Sequence, residues 1–208
     1  NNLANEGLTT TVKLVGSSGI EPTLRNREFA NTKILNKLSV QKDKYLLATI
    51  HRAENTTPSR LKILLEALGE LSNKTKIIFP MHPRTRNIIK QNQLTVAKNI
   101  HVIEPVGYLD FLSLIDNSLF VLTDSGGIQE EAPALGKFCL VLRDETEWTY
   151  LTDAGKNFLT DVDKEKIVSL GSELIDDLNK ITQIRSIPIE QDINVSDKVV
   201  KEIKNFLD

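Results

Sequence analysis

The chain has 208 residues, 40% of them hydrophobic and 26% charged, with a formal net charge of −2. That length buries a sizeable core, and the near-neutral balance excludes a global basic field for nucleic acid or anionic membrane. One cysteine excludes an intrachain disulfide framework and a cysteine-based zinc site, and no apolar run approaches the ~20 residues that span a bilayer. No signal-like segment opens the chain, so a cytoplasmic location is expected. The chain opens at Asn1 and its one methionine is Met81, so a further N-terminal portion is expected to precede it.

In chain order, short apolar β-branched runs alternate with amphipathic stretches. Residues 12–15 predict a strand, and 24–38 a helix. Residues 45–50 predict the next strand and 59–71 a helix, with Leu61, Leu64, Leu65, Leu68 and Leu71 on one face. Strands follow at 77–79, 101–103, 119–122 and 138–142. Helices are predicted at 85–91, 108–115, 127–135 and 148–154. The strand runs are almost uninterrupted in hydrophobicity, as in parallel strands covered on both faces. An α/β, Rossmann-like, doubly wound parallel sheet is therefore expected. Residues 164–178 predict a helix, Ile187-Pro188-Ile189 an extended break, and 195–207 a last helix capped by Ser196. The expected division is a domain over 1–190 and a tail helix over 191–208. Cys139 lies within Phe138-Cys139-Leu140-Val141-Leu142 and reads as a buried small hydrophobe.

In such sheets ligands bind beyond the carboxyl ends of the strands, where strand order reverses. Four polar clusters fall at predicted strand ends. Asp124-Ser125-Gly126-Gly127 leads into a helix whose first amides and dipole suit an anion, with Ser125 adding a hydroxyl. The plainer alternative makes Ser125 an N-cap and Glu130 and Glu131 partners of the dipole. These two glutamates lie about 100° apart around the helix, so only one can face a ligand at that end. His51 and Arg52 follow another strand: His51 suits proton donation to a leaving phosphate, Arg52 a bidentate clamp. His82, with Arg84 and Arg86 near it, is either a second basic group or the cap of a helix opened by Pro83. Phe111 packs either near a base or in the core. Arg143, in Arg143-Asp144-Glu145-Thr146-Glu147-Trp148, faces sugar, phosphate or a partner domain. His101 begins a strand at the far end of the sheet and reads as structural.

Taken together, His51-Arg52-Ala53-Glu54-Asn55, Met81-His82-Pro83, Asp124-Ser125-Gly126-Gly127-Ile128-Gln129-Glu130-Glu131 and Leu142-Arg143-Asp144-Glu145-Thr146-Glu147 resemble the non-hydrolysing UDP-N-acetylglucosamine 2-epimerases in order and spacing. The resemblance implies the C-terminal half of a two-domain GT-B fold, with the N-terminal domain outside this chain and dimerisation through it. It implies UDP-GlcNAc converted to UDP-ManNAc by elimination and re-addition of UDP, with no external redox cofactor. By the same resemblance Ser125, Gly126 and Gly127 hold the diphosphate, Glu131 the ribose and Phe111 the uracil, while His51 stands at the leaving phosphate. Arg52, Glu54 and His82 match positions linked to substrate or to a second, regulatory UDP-GlcNAc. The acid and base acting at C2 belong to the N-terminal domain. Where many members continue Arg-Pro-Glu, this chain has Trp148-Thr149-Tyr150, which resembles the branch acting on UDP-2,3-diacetamido sugar uronates. A GT-B glycosyltransferase and a non-catalytic UDP-sugar-binding domain are the rival expectations.

Overall fold

A computed structural model describes residues 2–8, 12–189 and 193–207. Six parallel strands form one sheet: β1 (Tyr45–Thr49), β2 (Lys76–Pro80), β3 (Ile100–Ile103), β4 (Val121–Thr123), β5 (Cys139–Val141) and β6 (Asn157–Leu159), in the order β3-β2-β1-β4-β5-β6. The helices ahead of β1 are α1 (Asn2–Asn5), α2 (Ile20–Arg27) and α3 (Lys33–Leu38). Those between strands are α4 (Pro58–Leu71), α5 (Pro83–Gln91), α6 (Tyr108–Asn117), α7 (Gly126–Ala134) and α8 (Thr149–Asp153). After β6 come α9 (Lys164–Asp176), α10 (Leu178–Ser186) and α11 (Val195–Leu207).

Strand side chains alternate between two cores, as the two-residue period requires. Leu46, Ala48, Ile77, Phe79, Leu122 and Leu140 meet α4, α9 and α10 on one face. Tyr45, Leu47, Ile78, Val121, Cys139 and Val141 meet α3, α6 and α7 on the other. The predicted leucine stripe of α4 is buried throughout, and Gly171 of α9 lies so near Leu71 that a Cβ there would meet its methyls at 2.9 Å. A right-handed crossover places its helix on the face set by the direction of travel along the sheet. The chain runs outward from β1 through α4 to β2, and outward the opposite way from β4 through α7 to β5. These helices therefore cover opposite faces, and the neighbours β1 and β4 form the reversal point.

The doubly wound parallel sheet is as expected, and Cys139 is buried with its thiol pushed upward by burial. Four local expectations fail. Residues 12–15 form no strand: Leu14 is fully exposed, while Val15 lies beside Val199 and Ile203 of α11. The predicted helix 24–38 is two helices, α2 beginning earlier and α3 separated from it by residues 28–32. Strand β6 and helix α10 were not anticipated; the latter starts where Asp177 accepts from the Lys180 N–H, 3.0 Å. Ser196 does not cap α11: its own N–H and hydroxyl both donate to Glu21 of α2, at 2.8 Å. The expected boundary between 190 and 191 lies outside the described residues.

Candidate functional site

The reversal point is built on Asp124, which immediately follows β4 and is fully buried. Its carboxylate accepts the His51 N–H at 3.0 Å, the Arg52 N–H at 3.0 Å and the Asn55 side-chain amide at 3.2 Å. Asn55 also donates to the Leu142 carbonyl at 2.7 Å, so one carboxylate ties together the ends of β1, β4 and β5. His51 Nδ1 stands 3.1 Å from Asp124 Oδ1. A proton on His51 Nδ1 would face this carboxylate. Below, Thr49 and Thr123 hydroxyls hydrogen-bond at 2.7 Å, and Thr123 Oγ1 accepts the Ser125 N–H at 3.0 Å.

Ser125 occupies the N-cap position of α7 with extended backbone, yet its side chain makes no capping hydrogen bond. Ser125 is thus the N-cap by position and backbone, with its hydroxyl not engaged in capping. The N–H groups of Gly126, Gly127 and Ile128 meet no acceptor among the described residues; the first amide of the turn that bonds, Gln129 N–H, reaches the Ser125 carbonyl at 3.4 Å. No acidic residue lies in this first turn. Three aligned donors, a hydroxyl and the positive end of a nine-residue helix therefore converge.

Beside them is a cavity of about 220 Å³ walled by Thr49, His51, His82, Val106, Phe111 and Ile128. Phe111 packs at the margin of the core and also lines this cavity. His82 is another of its walls and caps α5. Its Nδ1 accepts the Arg84 N–H at 3.1 Å, capping α5, while its ring lies 5.7 Å from that of His51. His101 lies within β3, away from this cluster.

The adjacent glutamates diverge as helix geometry demands. Glu130 is buried, accepts from Tyr150 at 3.3 Å and turns toward Gly19. Burial pushes its carboxyl above the ordinary range, against hydrogen bonds from Ser17 and Tyr150. Glu131 is half-buried and makes no side-chain hydrogen bond among the described residues. Burial, helped by the Glu130 charge, raises it as well.

Arg52 and Arg143 come together over the start of α7, on the two oxygens of Glu147, at 3.4 Å and 2.6 Å. Glu54 shares a neighbouring cavity with Arg60, Arg143, Asp144 and Glu145. The predicted residues His51, Arg52, His82, Phe111, Ser125, Gly126, Gly127 and Arg143 thus share one region, with Glu131 on the same helix. Asp124 and Glu147 were missed. The signal for Asp124 was an acid directly at a buried strand end, facing the first amides after the neighbouring strand.

The chain has relatives in sequence and in fold. The family described as UDP-N-acetylglucosamine 2-epimerase matches residues 1–204. A UDP-N-acetylglucosamine 2-epimerase homolog of Methanococcus maripaludis is 38% identical over 99% of this chain and 58% of its own length. The UDP-2,3-diacetamido-2,3-dideoxy-D-glucuronate 2-epimerase of Pseudomonas aeruginosa is 45% identical over 65% of this chain and 40% of its own. The crystal structure of the Methanocaldococcus jannaschii UDP-GlcNAc 2-epimerase in complex with UDP-GlcNAc and UDP superposes with a TM-score of 0.87 at 33% identity, covering 98% of this chain and 58% of that one. This chain therefore spans about half the length of the relatives it matches, one half of their GT-B architecture. It belongs to the UDP-N-acetylglucosamine 2-epimerase family.

Proposed function

We propose that this chain is the nucleotide-binding half of a non-hydrolysing UDP-sugar 2-epimerase that inverts C2 of UDP-GlcNAc to give UDP-ManNAc. The observation that carries the proposal is the set of unpaired amides at Gly126, Gly127 and Ile128 beside an uncommitted Ser125 hydroxyl and the Asp124-anchored His51. The pyrophosphate rests against those amides and Ser125, the ribose hydroxyls reach Glu131, and the uracil enters the cavity at Phe111.

Cleaving the bond from C1 to the phosphate oxygen places negative charge on UDP. Donors already aimed at that charge lower the barrier without having to reorganise. His51, protonated at Nε2 as well, hands a proton to the leaving oxygen; Asp124 stabilises the imidazolium and fixes its orientation. Proton removal and return at C2 require carboxylates on either side of the sugar ring. On this reading they come from the portion of the relatives' length that this chain does not span. The chain alone then binds UDP without turning over UDP-GlcNAc, and the dimer contacts of the full-length protein lie in the same missing portion.

Ser125→Ala is expected to weaken UDP about tenfold, by loss of one hydrogen bond to a charged oxygen. Calorimetric titration of UDP checks it. Incubating the chain together with its N-terminal half and UDP-GlcNAc in D2O tests the reaction: epimerisation installs deuterium at C2, while glycosyl transfer or simple binding leaves the C2 hydrogen in place.

A second reading has its own support. The 45% identity to the Pseudomonas aeruginosa enzyme, together with Trp148 beside Tyr150 at 6.4 Å, favours a 2,3-diacetamido uronate as the sugar. Turnover of that UDP-sugar in preference to UDP-GlcNAc by the reconstituted protein selects this reading.

A further inference from the structure

Glu147 has no role in the mechanism above, yet its carboxylate lies at the mouth of the pyrophosphate site. A Cβ built on Gly126 would stand 2.5 Å from Glu147 Oε1 and 3.1 Å from Arg52 Nη2. The same oxygen accepts from Arg52, and Oε2 accepts from Arg143 at 2.6 Å. Two guanidiniums and one carboxylate thus cover the first residue of α7, next to the amides that have no acceptor. Burial pushes the Glu147 carboxyl up, but its own backbone N–H, Arg143 and Arg52 outweigh this and hold it below the ordinary range. It is an anion at neutral pH.

A phosphate seated on the Gly126 and Gly127 amides meets this anion at contact distance, and like charges there repel. Which group yields is decided by burial. The Arg143 side chain is only 11% exposed, whereas that of Glu147 is 44% exposed and can move toward solvent with less packing to lose. Arg143 stays in place, and its best acceptor geometry, a short charge-assisted bond, passes to a phosphate oxygen. Arg52, one-third exposed, follows it.

We propose that Glu147 is an affinity-setting residue, a tethered carboxylate that competes with the ligand's diphosphate for Arg52 and Arg143. The inference rests on the pyrophosphate site read above. It gives the glutamate an effect opposite in sign to that of a scaffold: removing its charge strengthens diphosphate binding instead of weakening it.

The test is calorimetric titration of UDP, inorganic pyrophosphate and uridine into the wild-type chain, Glu147→Gln and Glu147→Asp. Glu147→Gln is expected to bind UDP and pyrophosphate about three- to tenfold more tightly, with uridine unchanged, since uridine brings no phosphate to the arginines. Glu147→Asp draws the charge one methylene back from Gly126 and is expected to fall between wild type and Glu147→Gln. Should Glu147→Gln fail to fold, a tightening in Glu147→Asp supports the competition equally. Equal or weaker UDP and pyrophosphate affinity in the folded variants overturns the competition and makes Glu147 a brace for its arginines. The underlying site fails differently: wild type and variants alike then show no saturable UDP binding, or binding that Ser125→Ala leaves untouched.

Discussion

Asp124→Ala is expected to be the most damaging single substitution near the site, lowering stability by about 3–5 kcal/mol and abolishing measurable UDP binding. Asp124 is fully buried and is the acceptor for the N–H groups of His51 and Arg52 and for the Asn55 amide. Truncation leaves those donors without a partner in a water-excluded place, and each costs its own desolvation. It also removes the backbone anchor of His51 and the carboxylate 3.1 Å from its Nδ1, so the ring loses its support. For a chain of this length the loss corresponds to a fall in melting temperature of about 6–20 °C. Asp124→Asn separates the two effects. It fills the same volume, but its amide nitrogen points donors at donors, so stability still drops while no cavity forms. Thermal unfolding with parallel UDP titration reads both quantities. A melting temperature within a degree or so of wild type would mean that the ends of β1, β4 and β5 hold together without this carboxylate.

Asp43→Ala is expected to cost a similar amount, about 3–5 kcal/mol, at the opposite end of the sheet and without touching the nucleotide site. Asp43 accepts from Lys137 Nζ at 2.8 Å and from Arg185 Nη2 at 2.7 Å. Lys137 is almost wholly buried, and Arg185 also donates to the Ser118 and Leu119 carbonyls. One carboxylate thus neutralises two cations that fasten α10 beneath β4 and β5. Removing it leaves the Lys137 ammonium buried without a counter-charge. The backbone adds to the cost: Asp43 has φ +57°, a left-handed conformation that alanine adopts less readily than Asp or Asn. Asp43→Asn keeps the turn and removes the charge, so it is expected to be milder than Asp43→Ala.

The same trio makes stability acid-sensitive. Burial pushes the Asp43 carboxyl up, but the hydrogen bonds and charges of Arg185 and Lys137 prevail and leave it below its ordinary value. Lys137 is also held low, because burial and the Arg185 charge outweigh its attraction to Asp43. A depressed carboxyl contributes stability that is complete above its unfolded value, about 4, and is lost as pH falls through the lower folded value. Wild type is therefore expected to lose more stability than Asp43→Asn as pH falls below about 4, the ordinary carboxylate value. Urea unfolding at a series of pH values checks this; parallel curves for the two proteins would contradict it.

The outline of this molecule was readable wherever two independent patterns coincided. Apolar runs at 45–50, 77–79 and 138–142 ended in polar clusters, and each end fell at the same edge of the sheet. The leucine spacing of α4 fixed its buried face. Legibility failed where a pattern was short or shared between states. Asn157–Leu159 is a three-residue edge strand with no periodicity to read. Residues 12–15 have strand-like composition yet pair with no strand. In α10 the apolar residues Leu178, Ile181 and Ile184 run only about two turns, interrupted by polar ones. The site's polar residues were legible as types, and their partners were not. His82 offered a second basic group or a helix cap; the structure shows the cap and also places its ring on the cavity wall. Asp124 and Glu147 stood inside recognisable motifs, but only the crossing of β1, β4 and the loop after β5 reveals what their carboxylates hold.

The central claim is that UDP seats its pyrophosphate on the opening turn of α7. Amide resonances of the ¹⁵N-labelled chain, followed as UDP is added, test it at the atoms concerned. Large, saturable downfield shifts are expected at Gly126, Gly127 and Ile128, accompanied by shifts of the His51 ring, with Ser125→Ala needing about tenfold more UDP to reach them. Saturable shifts confined to other surfaces, with those three amides unmoved, would contradict it.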